Sequence, residues 1–124
     1  MTMFSDFGLL DRATEETRLV KAGEIIFSAG DEATEFYVVR AGKVTVRLRN
    51  RTLATLGEGE IFGEMALIDA GPRSASAIAE TDATIVPVSE KQFLFMVSEA
   101  PYFALSVMRV LVERLRHANE ALPG

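Results

Sequence analysis

Between Val44 and Arg49 the apolar residues Val44, Val46 and Leu48 alternate with Thr45, Arg47 and Arg49. That period of two predicts a strand with one face buried and the other wet. Asn50 marks the turn that follows. The same texture runs from Gly23 to Val88, where short apolar runs are broken by Gly23, Gly30-Asp31, Ala41-Gly42-Lys43, Gly57, Gly59, Gly71-Pro72 and Thr81-Asp82. Strands are expected at 20, 24–28, 36–40, 43–49, 51–56, 74–79 and 83–89. So many short strands predict a mainly β domain, a roll or a barrel.

Helical patterns flank this body. Residues 1–20 carry Phe4, Phe7, Leu9, Leu10, Leu19 and Val20 among polar positions, which predicts one short helix and the approach to a strand. After the last strand, Ser89 followed three residues later by Gln92 forms a capping box ahead of Phe93 to Val97. That helix should break near Ala100-Pro101, where Pro suits the first turn of a second helix running towards Leu122. On it Ala104, Met108, Leu111, Leu115, Ala118 and Leu122 are spaced 4, 3, 4, 3 and 4, a heptad seam. The seam has two readings, pairing with a second chain or packing on the chain's own roll. Phe93, Phe95, Phe103 and the Met residues read as core rather than as a cofactor box.

Composition narrows the chemistry. The 124 residues, 48% hydrophobic and 25% charged, suit one globular domain that can fill a core without metals or disulfides. The absence of Cys removes disulfides, thiolate zinc sites, iron–sulfur ligation and cysteine nucleophiles. A net charge of −5 opposes sequence-independent binding to nucleic acid or anionic lipid. No apolar run approaches the roughly 20 residues that span a bilayer, so a cytoplasmic protein is expected. Arg47, Arg49 and Arg51 read as a solvated, aggregation-resistant hairpin edge rather than a nucleic-acid stripe.

The most informative stretch is Ile61-Phe62-Gly63-Glu64-Met65-Ala66-Leu67-Ile68-Asp69-Ala70-Gly71-Pro72-Arg73-Ser74-Ala75-Ser76. Gly63 allows close backbone approach, and 64–68 can make one helical turn whose free amides suit an anion. Arg73, nine residues beyond Glu64 and past a Gly-Pro corner, can return to that turn with a two-pronged charged donor. Ser74 adds a hydroxyl and an amide beside it. A carboxylate at Glu64 would repel a bare phosphate unless it accepts a hydrogen bond from a hydroxyl, and a ribose 2′-OH meets that demand. The bland alternative is an ion pair between Glu64 and Arg73 that braces the corner, worth little if exposed.

This stretch resembles the phosphate-binding cassette of the cyclic nucleotide-binding domain family, whose pattern is F-G-E-[LIM]-A-L-[LIV], three residues, P-R-[AST]-A. The resemblance extends from about Val20 to Leu122 and includes the family's V-x-A-G-E-x-I-F opening at 20–27 and glycine turns at Gly30, Gly42 and Gly59. It implies an antiparallel β-roll, a jelly-roll-like double-stranded β-helix, with a short N-terminal helix and C-terminal helices. One domain over 1–124 is implied, with a helical segment at 1–19, the roll at 20–89, the cassette at 61–76 and lid helices at 90–122.

The resemblance further implies a non-catalytic sensor of cAMP, or of cGMP, that signals through its tail helices. Glu64 would accept the ribose hydroxyl and Arg73 would hold the cyclic phosphate. Backbone groups of Gly63, Ala66 and Ser74, with Met65 and Ala75 beside them, would complete the shell. Ser74 leans towards cAMP. Val46, Phe62, Leu111, Arg114, Leu115 and Asn119 are the implied base and lid contacts, with Arg114 near the phosphate. Ala118-Asn119 stands where a transcription regulator of the family reads adenine with a Thr-Ser pair, a departure from that pattern. The chain ends where such regulators begin a helix-turn-helix domain, so a sensor without a DNA-binding domain is expected. Its expected partners are a cyclic nucleotide and either a second copy through the last helix or a protein effector, with neither nucleic acid nor membrane.

Two other classes compete. A protein-interaction module could keep this fold and act through its tail helix. A cupin-type metal enzyme shares the many-strand pattern, but it needs several His ligands with a carboxylate, and His117 stands alone. A lone His on the tail also rules out a Ser-His-Asp arrangement and reads as an exposed helix residue, so no enzyme and no cofactor are expected.

Overall fold

The computed structural model describes residues 16–67 and 71–121, the side chains of 66, 67 and 117–121 excepted. Its strands are β1 (Arg18–Val20), β2 (Ile25–Phe27), β3 (Glu35–Ala41), β4 (Val44–Leu48), β5 (Arg51–Leu56), β6 (Ile61–Phe62), β7 (Ser76–Ala79) and β8 (Ala83–Ser89). A 3₁₀ turn at Glu64–Leu67 follows β6, and the chain closes with helices α1 (Glu90–Glu99) and α2 (Tyr102–Ala121). The strands form two four-stranded sheets, ordered β1-β8-β3-β6 and β2-β7-β4-β5. All pairings are antiparallel, which makes the expected β-roll.

The patterning explains why two layers of core are needed. On β3, Tyr37 and Val39 point between the sheets, while Phe36 and Val38 point to the helices. On β8, Ile85 points inward and Val86 and Val88 outward. A strand buried on both faces reads as a continuous apolar run, as Phe36 to Val39 does. The inner layer joins Val20, Val44, Leu56, Phe62, Ala77 and Ala79 to these residues. The outer layer packs Met96, Phe103, Val107 and Val110 against Ile61 and the back of the first sheet. Each large side chain buried this way contributes about 1.5–3 kcal/mol.

Several expectations are corrected in detail. Arg18 and Leu19, expected in the leading helix, belong to β1 because they pair with Ile85 and Thr84 of β8. The rest of that expected helix lies outside the described residues. β6 was not expected, because two residues carry no periodicity; it forms by pairing with Tyr37 and Val38. β7 starts at Ser76 rather than at 74, since Arg73 is tied to another turn. Asn50 lies in the β4–β5 turn as expected, and Arg49 beside it adopts the left-handed conformation at φ 58°.

The capping box forms as expected. The Ser89 hydroxyl accepts from the Gln92 amide at 3.1 Å, and the Gln92 side chain accepts from the Ser89 amide at 2.8 Å. The structure bears on one of the two readings of the α2 seam, packing on the chain's own roll. The roll takes the stripe Phe103, Val107 and Val110, with Leu111 partly covered at its edge. Met108 and Leu115 of the seam are exposed, beside Leu105 and Val112. Packing on the roll therefore uses a face offset from the seam.

Candidate functional site

Arg73 is placed by backbone before its side chain does anything. The turn at 28–31 is closed by the Asp31 amide on the Ser28 carbonyl and by the Ser28 amide on Asp31 Oδ2. Gly30 supplies the φ of +93° that this turn requires. Arg73 then pairs with the turn twice: its amide donates to the Asp31 carbonyl and its carbonyl accepts from Gly30, both at 2.8 Å. The Ser76 hydroxyl accepts from the Ala29 amide close by.

From that anchor the guanidinium reaches inward and is only 8% exposed. Nη1 donates to the Gly63 carbonyl at 3.0 Å and Nη2 to the Glu35 carbonyl at 2.6 Å. Nε is buried with no hydrogen-bond partner. Gly63 sits at φ +76°, and a Cβ there would come within 2.7 Å of Arg73 Nη1, so close approach is the reason for glycine. Burial lowers the Arg73 pKa from its ordinary value, an effect opposed by Tyr37 and Glu35. The group stays cationic at neutral pH. A buried cation hydrogen-bonded to neutral carbonyls, with Nε left over, is suited to an anion.

Glu64, 6% exposed, opens the 3₁₀ turn beside Gly63. Its partner is Arg114 of α2, whose Nη1 donates to Glu64 Oε1 while Nη2 donates to the Ile61 carbonyl. Burial lowers the Arg114 pKa, opposed by Glu60. The ion pair between Glu64 and Arg73 considered as the bland alternative does not form; Glu64 is tied instead to the tail helix, fifty residues away in sequence.

The other expected site residues divide. Phe62 is buried and stacks on Tyr37 at 5.1 Å, so it is part of the core under the cassette. Val46 is half-buried against the inner layer and Leu111 against the outer one. Ala75 is buried, Ser74 is exposed, Met65 is 54% exposed and Leu115 61%. The side chains of Ala66 and Asn119 lie outside the described residues. A cupin-type centre would need clustered ligands, and among the described residues no three His, Asp or Glu side chains gather to hold a metal. No helix among them is long and apolar enough to cross a membrane.

Sequence reasoning missed three groups that shape this site. Phe27 lies under the Arg73 guanidinium, Glu35 supplies the carbonyl on Nη2, and Tyr37 packs against Phe27. The i, i+2 spacing of Glu35 and Tyr37 on one strand face was the available signal.

Comparison with known proteins supports one assignment. Residues 17–100 match the family model described as the cyclic nucleotide-binding domain. The chain is 38% identical over 109 residues to the cyclic AMP receptor protein of Thermus thermophilus, covering 84% of this chain and 50% of that protein. It thus spans about half the length of that relative. The crystal structure of the Thermus thermophilus catabolite activator protein superimposes with a TM-score of 0.81 at 37% identity, over 93% of this chain and 56% of that one. The cAMP-bound form of the EAL enzyme Bd1971 superimposes with a TM-score of 0.62 at 40% identity, over 85% of this chain and 30% of that one. The family match covers most of the chain, and the roll and its cassette agree with it; the chain belongs to the cyclic nucleotide-binding domain family.

Proposed function

We propose that this domain is a non-catalytic sensor that binds cAMP, with cGMP as the second candidate, in the cassette 61–76. The observation that carries the proposal is Arg73: a buried guanidinium on two carbonyls, with Nε unsatisfied, beside a glycine that leaves no room for a side chain. A cyclic phosphate offers the acceptors and the negative charge that this group lacks. Glu64, one residue on from Gly63, is the acceptor for a ribose hydroxyl. Backbone groups of Gly63, Ala66 and Ser74 complete the shell, with Met65 and Ala75 alongside. The cyclic AMP receptor protein of Thermus thermophilus and the cAMP-bound form of Bd1971 favour cAMP, and a cGMP-bound form of Bd1971 at 39% identity keeps cGMP in play.

The tail helices act as a lid in this reading. Arg114 shares Glu64 with the incoming sugar, so the nucleotide changes the electrostatics of the contact that ties α2 to the roll. Leu111, Leu115 and Asn119 are the lid contacts to the base, with Val46 and Phe62 below. The exposed stripe Leu105, Met108, Val112 and Leu115 on α2 supports a second function for the same helix, pairing with another copy or with a protein effector. Residues 1–124 act as one domain in this account.

Calorimetric titration with cAMP and cGMP tests the proposal. Stoichiometric binding of one or both is expected, and no heat with either at millimolar nucleotide would refute it. Sedimentation with and without nucleotide reports the pairing through α2.

A further inference from the structure

We infer that Phe27 is a positioning residue for ligand binding: its ring, backed by Tyr37 and Phe62, fixes the plane in which the Arg73 guanidinium meets an anion. The inference rests on the nucleotide-sensor reading for its consequence, though not for its geometry. Arg73 Cζ lies 4.0 Å from the centroid of the Phe27 ring and 5.8 Å from that of Tyr37. At 4.0 Å the cation is in contact with the ring face, where the quadrupole is negative and attracts it. The contact is desolvated, because Arg73 is buried, and this is the setting in which such an interaction is strong.

The geometry also explains the direction of the free donor. Two edges of the guanidinium are taken by the Gly63 and Glu35 carbonyls, and one face by Phe27. Rotation about the long axis of the side chain would break all three contacts together. Nε is left without a partner, on a group whose face rests on the ring. A Cβ on Gly63 would meet both members of the pair, Nη1 at 2.7 Å and Phe27 Cε2 at 3.4 Å. The glycine gap is thus filled jointly by the cation and its ring.

The platform is itself pinned. Phe27 packs on Tyr37 and on Phe62, each at 6.0 Å, and Tyr37 stacks on Phe62 at 5.1 Å. The Tyr37 hydroxyl donates to Glu35 Oε1 at 3.0 Å, and Arg18 Nη2 donates to the same oxygen at 2.9 Å. Glu35 therefore holds the platform with its carboxylate and the guanidinium with its carbonyl. Phe27 is needed for its π face and not merely for its apolar volume.

The test compares Phe27→Leu with Phe27→Tyr. Phe27→Leu keeps apolar bulk and removes the π face, so cAMP affinity should fall about tenfold to thirtyfold, while Phe27→Tyr should stay within about threefold of the parent. Equal affinity for Phe27→Leu and the parent overturns the inference, as does an equal loss in Phe27→Tyr. A nucleotide-free readout separates this from failure of the sensor reading. In the NMR spectrum of the ligand-free parent, the Arg73 Nε–H signal should carry a ring-current shift that Phe27→Leu abolishes. An ordinary position for that signal in the parent overturns the inference whether or not cAMP binds, and whether or not either variant folds.

Discussion

Two arginines, one buried in the cassette and one half-buried on the tail helix, meet opposite electrostatic fates. Arg73 is surrounded by carbonyls and an aromatic ring, with no carboxylate among its hydrogen-bond partners and Nε without any partner. Arg114 is neutralised by Glu64 and caps the Ile61 carbonyl. Burial is costly for a cation with no carboxylate bonded to it, although the charges of Glu35 and Asp31 offset part of that cost, so Arg73 keeps the capacity to take an anion. Arg114 keeps no such capacity: it straps α2 to the roll. Under the proposed function the contrast would separate a group that holds the ligand from one that transmits its arrival, with Glu64 between them.

The largest effect should come from removing the capacity of Arg73. Arg73→Gln removes the charged fork, worth at least about 3 kcal/mol for two charge-assisted bonds, so cAMP affinity should fall by two decades or more in calorimetry. If Arg114→Met produces the same loss while Arg73→Gln does not, the two roles are reversed. Arg114→Met itself leaves Glu64 buried without its cation and should lower stability in urea by about 1–3 kcal/mol. Hydrogen exchange in α2 should rise with it, and unchanged exchange there would remove the strap from the account.

Gly63→Ala probes the approach between the two regions. A Cβ 2.7 Å from Arg73 Nη1 on a backbone at φ +76° should cost about 1–3 kcal/mol in urea unfolding and weaken cAMP binding with it. Ser89→Ala sets the lower bound. Loss of the capping box should cost about 1 kcal/mol of stability and leave nucleotide affinity unchanged. An affinity change there would show that the start of α1 is coupled to the cassette.

Local patterns made much of this legible from sequence. The alternation in 44–49, the glycine breaks and the Ser89–Gln92 box each encode a short-range conformation, and the cassette encodes its own turn and corner. What was not legible depends on contacts between distant segments. The pairing of Arg114 with Glu64 spans fifty residues, and either arginine of the site could have been its partner on charge alone. Phe27 stands in the sequence only as the end of the V-x-A-G-E-x-I-F opening, and it is the roll that brings Arg73 over its face. Periodicity identified an apolar stripe on α2 but not which stripe the roll would take, because Phe103, Val107 and Val110 lie next to the seam on the same helix.

Under the proposed function the guanidinium of Arg73, with Nε unpartnered, is held for a cyclic phosphate. Following the Arg73 Nε–H signal by NMR while cAMP is added to the intact chain tests it most directly. The account predicts a large, saturable shift of that signal that stops at one nucleotide per domain. Saturable cAMP binding that leaves the Arg73 Nε–H signal where it was would contradict it.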